Sequence, residues 1–453
     1  MAEKRQVEST ESGIGDESNK KHTKLSPMIF DEVAAIIRSG DSEKLKKIIE
    51  AGRVNNINMR SSCYTGFSLL MVACESGFLE CARVLLDHNA VIRANSTIVL
   101  KSACLSGNAD LVRFIIERGH TMNDSIVSYL FGSPEIVANT EVAATLVGYI
   151  QDVNAERGAF LRQVCRVGNL MIARILLLRG ASLFSAPADP LAAAAGAGHL
   201  EVVKLLIGWR TNIGTGVSQA SVNEAVIIAS RSGLIEIVRC LIEYGTGVKA
   251  DILSNALYGA VEYHRLEVTT FLLDNGGDYN ALLPTFRCST WILACQIGSP
   301  DMVRLMLDRG ADPNAVEARV WSPLKSALKH AEVLKILLEH NADPNQPFAY
   351  GSTALLDVVK GNNGGYMQTL TVLLGHGADP NLAHATTGQT ALMIAALELR
   401  IEAVKLLLEY GADVTQVNRE GQSVLDQTKY SEVVALCTQY VECNKPGAKL
   451  LLK

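Results

Sequence analysis

The chain has 453 residues, 48% of them hydrophobic and 20% charged, with a formal net charge of -5. That balance is ordinary for a folded chain, and so small a net charge gives no bulk argument for nucleic acid or an anionic membrane as partner. No N-terminal segment has the apolar run of a signal peptide, and the richest apolar stretch, 191–206, is broken by His199, Glu201 and Lys204, so no membrane insertion is expected.

Residues 1–27 have no apolar period and are rich in Glu, Ser, Lys and Gly. Such a composition cannot bury enough surface to order itself, so a disordered tail is expected. Lys4-Arg5 and Lys20-Lys21 with Lys24 form a faint split nuclear-import pattern, diluted by an equal number of acidic residues. A cytoplasmic location is expected, with the nucleus second.

From Ile29 onward one pattern returns. Residues 388–414, GQTALMIAALELRIEAVKLLLEYGADV, carry it most fully. Thr390 is suited to cap a helix N-terminus. Leu392, Ala395 and Ala396 give a short apolar helix with small residues on one face. Leu399 and Arg400 occupy a turn where other copies place Gly. Ile401, Val404, Leu407 and Leu408 follow at helical spacing, and Gly411 suits the left-handed end of a helix. A helix pair this short cannot stand alone, so the copies must stack.

The residue four places before the mid-repeat Gly, or its equivalent, sets the register: Ile36, Ala73, Ala103, Val164, Ala194, Ala229, Ala260, Ala294, Ala327, Val358 and Ala395. The long gap between Ala103 and Val164 must hide a degenerate copy around 125–154, which brings the mean period to about 33 residues. About twelve copies and a C-terminal cap near 417–442 result. The second helices carry leucine pairs, with Leu337 and Leu406 as candidate core residues. Cys74, Cys104, Cys165 and Cys295 share one place, which Ala195, Ser230 and Ala396 fill elsewhere; a place that takes Cys, Ala or Ser is a tight packing position. No CxxC occurs, and no Cys/His cluster has metal spacing.

These repeats resemble the ankyrin repeat. The family motif T-P-L-H-x-A has its Thr at Ser68, Ser289, Ser322, Thr353 and Thr390, with Asp189 and Asn255 at the same place. Its Pro matches Pro190 and Pro323. Its Leu matches Leu70, Leu100, Leu191, Leu257, Leu324, Leu355 and Leu392, and Trp291 stands there as a core candidate. Its His is replaced by Met71, Lys101, Ile292, Lys325, Leu356 and Met393, and in the family that His ties neighbouring backbones together. Gly-Ala-Asp-Pro-Asn at 310–314 and 377–381, and Asn-Ala-Asp-Pro-Asn at 341–345, lead into the loops that the family forms as fingers. The resemblance implies an all-α solenoid of stacked helix-turn-helix units with hairpin or loop fingers. The organisation expected is a tail at 1–27, the array at 28–442 and a second tail at 443–453, with a flexible bulge at 361–365.

No catalytic or cofactor constellation stands out. Gly196-Ala197-Gly198 lacks the preceding strand of a phosphate loop and matches the family's turn between helices. Asp312, Asp343 and Asp379 recur beside Pro and Asn, as turn-capping carboxylates do. No HExxH or GxSxG occurs. The chain is therefore expected to be no enzyme, to bind no cofactor or metal, and to work as a monomer that binds a protein segment. The alternative is the substrate-recognition subunit of an enzyme complex such as a ubiquitin ligase. The resemblance places partners on the fingers and first helices. Phe286, Arg319, Trp321, Phe348 and Tyr350 lie on successive fingers and are the residue types that dominate interfaces; Tyr64 and Phe67 make a smaller patch. Asn314, Asn345 and Asn381 resemble ankyrin asparagines that accept a β-hydroxyl from an asparaginyl hydroxylase.

Overall fold

The computed structural model describes residues 29–61, 67–92, 97–183, 189–209, 217–244, 247–282, 288–317, 320–361 and 365–443. Their regular structure is helical; the β pairing among them is confined to isolated bridges such as Glu317 with Trp321. The tails and the centre of the 361–365 bulge lie outside the described residues.

The chain divides into two compact units, 1–151 and 152–453. In the first, helices pair as Phe30–Arg38 (α1) with Ser42–Glu50 (α2), Leu69–Glu75 (α3) with Leu79–Asp87 (α4), and Thr97–Leu105 (α5) with Ala109–Glu117 (α6). Where a degenerate copy is expected, the chain forms Asp124–Phe131 (α7), a short Pro134–Ala138 (α8) and Thr140–Val147 (α9).

The second unit begins with Ala155–Val167 (α10) and Leu170–Leu178 (α11), then Pro190–Ala197 (α12) and Leu200–Gly208 (α13). Gln219–Ser232 (α14) pairs with Ile235–Tyr244 (α15), and Ala250–Glu262 (α16) with Leu266–Asp274 (α17). Thr290–Ile297 (α18) and Pro300–Asp308 (α19) precede Pro323–Ser326 (α20) and Ala331–Glu339 (α21). Ala354–Lys360 (α22) and Tyr366–Gly375 (α23) precede Ala391–Leu397 (α24) and Ile401–Glu409 (α25). Val424–Gln427 (α26) and Ser431–Cys443 (α27) close the stack. Within each unit the first helices pack on first helices and the second on second, as α3 on α5, α12 on α14 and α21 on α23.

The sequence signals act where they stand. Hydroxyls of Ser68, Ser289, Ser322, Thr353 and Thr390 accept from the backbone N–H three residues on, and Asp189 caps α12 through the Leu191 N–H at 2.8 Å. Pro190 and Pro323 occupy first-turn positions, where a missing N–H costs nothing. Every register residue from Ile36 to Ala395 is buried. Trp291 is fully buried and donates its indole N–H to the Asp312 carbonyl at 2.9 Å.

Two expectations need correction. Asn255 is not a cap: α16 starts earlier, after Lys249, and places Asn255 inside the helix. Ile252 and the buried Leu253, one turn upstream, carry the apolar face of the helix N-terminally past the motif position. Leu406 is only half-buried, whereas Leu407 and Leu408 on the same helix are enclosed. Leu337 is fully buried, in a cluster that runs from Val261 to Cys437.

At several interfaces neighbouring repeats are tied by a side chain at the start of the second helix, which reaches back to a carbonyl of the previous repeat. Asn108 bonds Gly77, Asn139 bonds Gly107, Arg265 bonds Arg231 and Arg400 bonds Gly361, at 3.0, 3.2, 3.1 and 2.6 Å. His199 and His330 present Nε2 to the Arg166 and Gln296 carbonyls at 3.1 and 3.0 Å. These links take over the tying role of the missing motif His. They also explain a glycine. Gly298 has φ 78°, and a Cβ there would lie 2.2 Å from the His330 ring, so the ring needs the space. One repeat earlier, His264 holds the same turn at φ 59°, and the residue that follows it in the next repeat's cap position is the small Ser299.

Burial pushes the thiols of Cys74 and Cys104 up to about 12 and that of Cys81 to about 11, and raises Cys165 and Cys295 as well. An unfolded thiol ionises near pH 8.5. Above that pH the unfolded chain loses protons that the folded chain keeps, so stability falls as pH rises. The urea midpoint should therefore be lower at about pH 10 than at about pH 8, and the Cys74→Ala/Cys104→Ala variant should lose less over that range. Equal losses in the two proteins would show that these thiols do not contribute.

Candidate functional site

The site is built on the fingers of the C-terminal repeats. Each finger is pinned at its neck by a backbone bond: Glu317 N–H to the Trp321 carbonyl, Phe348 N–H to Ser352, His384 N–H to Gln389 and Asn418 N–H to Gln422, at 2.8 to 2.9 Å. Successive fingers are joined in turn. Ala385 N–H donates to the Gly351 carbonyl at 2.8 Å, and Arg419 N–H to Thr387 at 3.1 Å. A finger held at its neck and flank presents its tip at a fixed height.

Beneath the fingers the asparagines form a second ladder. Asn314 donates its amide to the Asn341 carbonyl at 2.9 Å and accepts from the Asp343 N–H at 2.7 Å. Asn345 does the same with Gly377 and Asp379 at 3.1 and 2.8 Å, and Asn381 with Gly411 and Asp413 at 3.2 and 2.7 Å. Asn58 and Asn154 repeat the arrangement farther upstream, each inside its own unit. Asp312, Asp343 and Asp379 act as turn caps, each accepting from the N–H of its asparagine at 2.8 to 2.9 Å. The same hydrogen-bond requirement explains why the tract recurs: a planar amide is the group that can donate to one backbone and accept from it two residues on.

The aromatic candidates part company. Tyr350 stands on a finger at φ 66°, 86% exposed. Trp321 closes the preceding finger and is half-buried. Phe348 is 7% exposed and belongs to the core, with the Lys325 ammonium 5.4 Å from its ring centre. Its side chain is thus packing beneath the surface that the other two line. Phe286, Arg319 and Tyr64 lie outside the described residues. In the first unit, Phe67 is half-buried and lines a separate groove of about 340 Å³ with Phe30, Arg38 and Glu75.

Two adjoining grooves lie along the first helices α20, α22 and α24. One, of about 380 Å³, is lined by Trp321, Leu328, Val358 and Tyr366, with Lys325 and Lys329 at its edge. The other, of about 340 Å³, is lined by Tyr350, Leu356, Ile394 and Leu397, with Lys360 and Glu398. Lys325 and Asp357 border both. Asp357 accepts from the Ser352 hydroxyl at 2.5 Å, and Arg400 stacks 4.5 Å over the Tyr366 ring centre. Sequence reading missed Lys329, Lys360, Asp357, Tyr366 and Leu397. Lys325 carried a signal, because a long cation stands where the motif places His and no carboxylate neighbour is required by the fold. Among the described residues no group of three or more His, Cys, Asp or Glu could hold a metal ion, and no helix is long and apolar enough to cross a membrane.

The family model for ankyrin repeats in three copies matches residues 33–126, 191–282 and 355–436, and that for a single ankyrin repeat matches 291–318. The matched ranges pass over 127–190, which holds most of α7 and the helices α8 to α11. The chain is similar to the ankyrin repeat and KH domain-containing protein mask-1 of Caenorhabditis elegans, 24% identical over 73% of this chain and 13% of that protein. It is 28% identical to the human ankyrin repeat and SOCS box protein 6 over 51% of this chain and 48% of the relative. The E3 ubiquitin-protein ligase XBAT32 of Arabidopsis thaliana is 27% identical over 47% of this chain and 41% of its own length. The chain thus spans less than half of each of these relatives. Among solved structures, the ankyrin repeat domain of Bcl-3 aligns at a TM-score of 0.42 and 26% identity, over 47% of this chain and 97% of that one.

The asparagine ladder can be tested directly. Asn345→Ala removes two bonds between repeats and should cost about 1–3 kcal/mol, since each is worth roughly 0.5–1.5. Asn345→Asp keeps the acceptor for Asp379 but loses the donor, and should fall between. Urea unfolding reads both, and an alanine variant as stable as the parent would remove the ladder from the list of stabilising contacts.

Proposed function

Since the chain belongs to the ankyrin-repeat family, we propose that it is a non-catalytic protein-interaction scaffold or adaptor, binding a segment of a partner protein on the surface formed by its fingers and first helices. Ankyrin repeats are protein-binding modules, and the observation that supports this location is the pair of grooves at α20, α22 and α24. They combine half-exposed aromatic floors with a polar edge, on a surface that the hydrogen-bonded fingers keep in one shape. A rigid binding surface loses little entropy on association. Trp321 and Tyr350 are the side chains proposed to meet the partner, with Arg319 on the same finger as Trp321 and Phe286 on the finger before it; Phe348 supports them from below.

A second reading draws on the names of the relatives, one a SOCS box protein and one an E3 ubiquitin-protein ligase. In that case the same grooves would select the substrate of an enzyme complex. Isolation of the chain with its partners separates the two. Recovery of ubiquitin-ligase catalytic subunits supports the second reading, and partners without them support the scaffold.

In either case Trp321→Ala and Tyr350→Ala should each weaken binding to a purified partner about tenfold or more, the effect of losing an aromatic anchor worth roughly 2 kcal/mol. Thermal melts accompany the measurement. Normal binding by both folded variants would move the site away from these fingers, to the Phe67 groove of the first unit.

Asn314, Asn345 and Asn381 remain proposed acceptors of a β-hydroxyl. Each sits two residues after an aspartate that already accepts from its N–H, so an added hydroxyl would have a carboxylate in reach. Incubation with an asparaginyl hydroxylase should add one oxygen to the tryptic peptides holding these residues. Unchanged masses on all three would end the idea.

A further inference from the structure

The charges around the grooves are not balanced within the molecule. Lys325, Lys329 and Lys360 line them, and none forms an ion pair with a described residue. Of the two carboxylates nearby, Asp357 is engaged by the Ser352 hydroxyl, and Glu398 stands alone at the far rim. On the second helices, by contrast, lysines are answered locally: Lys335 by Glu339 on α21 and Lys405 by Glu402 on α25. Lys325, set between the two floors with the Phe348 ring beside it but no paired carboxylate, is a place for an anion from outside, since a charge pair there is partly shielded from water and fixes register as well as attraction.

The floors also have a spacing. One is built mainly between α20 and α22, the other between α22 and α24, so they are one repeat apart. Packed helices lie about 8–10 Å apart, and an extended chain advances about 3.3 Å per residue. Side chains that fill both floors are then about three residues apart, with the residues between them crossing Lys325.

Resting on the reading of the grooves as the binding site, we propose that their occupant is an extended acidic peptide segment. It carries two apolar side chains about three residues apart, one over Trp321 and one beside Tyr350, with a carboxylate between them facing Lys325 and others toward Lys329 and Lys360. The volumes of about 380 and 340 Å³ accommodate one side chain each with part of its backbone.

Phage-displayed random peptides selected against the full chain test this. The expected outcome is an enriched consensus of two apolar residues at that spacing with Asp or Glu between or beside them. A synthetic peptide of that consensus should bind about tenfold more weakly to the Lys329→Glu/Lys360→Glu variant, whose altered side chains are exposed and leave the packing of Lys325 on Phe348 intact. Its affinity should also fall as salt rises. Peptides that lose affinity for Trp321→Ala but are neutral or basic overturn the acidic assignment while leaving the grooves as the site. Peptides that bind Trp321→Ala and Tyr350→Ala as well as the parent, or a selection that enriches nothing, overturn the grooves themselves and this proposal with them.

Discussion

The structure depends on hydrogen bonds that run from a side chain of one repeat to the backbone of the one before or after it. A helix of seven to nine residues, such as α3 or α25, is below the length at which a helix holds in water. Its stability comes from its neighbours. Hydrophobic contact supplies most of that, but apolar faces alone permit sliding. The reach of His330 to Gln296, of Arg265 to Arg231 and of Asn345 to Gly377 and Asp379 sets the register of the interfaces these bonds span. Within each unit these bonds turn stacked helix pairs into an ordered array whose stability is a sum over neighbours.

Because register is fixed at both the turn and the finger base, the exposed face of the first helices does not have to set it; its structural contacts are local ones, Lys325 on Phe348 and Asp357 with the Ser352 hydroxyl. The small residues of the register, Ala294, Ala327 and Ala395 among them, let the helices approach closely on their buried side. The residues that face outward from the same helices, Lys325, Asp357 and Leu397, take no part in the ladders. Register and recognition are therefore assigned largely to different atoms of the same short helices, and the exposed Lys329 and Lys360 are the outer-face residues with no part in the packing.

The fold was legible because its signals are local and repeated. A hydroxyl before a leucine, a small residue four places before a glycine, and the Asp-Pro-Asn tract each report one geometric need, and repetition confirms each reading. The failures have equally local causes. Asn255 carries the right chemistry for a cap, but the apolar face of α16 extends past it, and helix propagation overrides one capping bond. Leu406 lies one position off the enclosed face, a difference of about 100° around a helix that a leucine run conceals. Phe348 sits on a finger, where a surface aromatic is expected, yet its ring is buried with Lys325 over it, and nothing in its own segment of sequence marks that. The grooves themselves were not legible. They arise where side chains from three repeats converge, and no one segment of sequence records that.

Tyr350 brings these threads together. A non-glycine residue at φ 66° costs about 1–2 kcal/mol relative to a relaxed backbone. Burial commonly offsets such a cost, but this ring is 86% exposed and recovers little. Its neighbour Gly351 also has positive φ, and there the reason is plain: a Cβ would collide with Ala385 of the next finger, to which Gly351 gives its carbonyl. Packing accounts for the glycine and not for the tyrosine, which could be replaced by glycine with gain to the finger. A backbone outlier that stability does not explain directs attention to function. The proposal that this ring meets a partner accounts for both its strained backbone and its exposure, and it does so at the edge of a groove whose lysines have no counter-charge of their own.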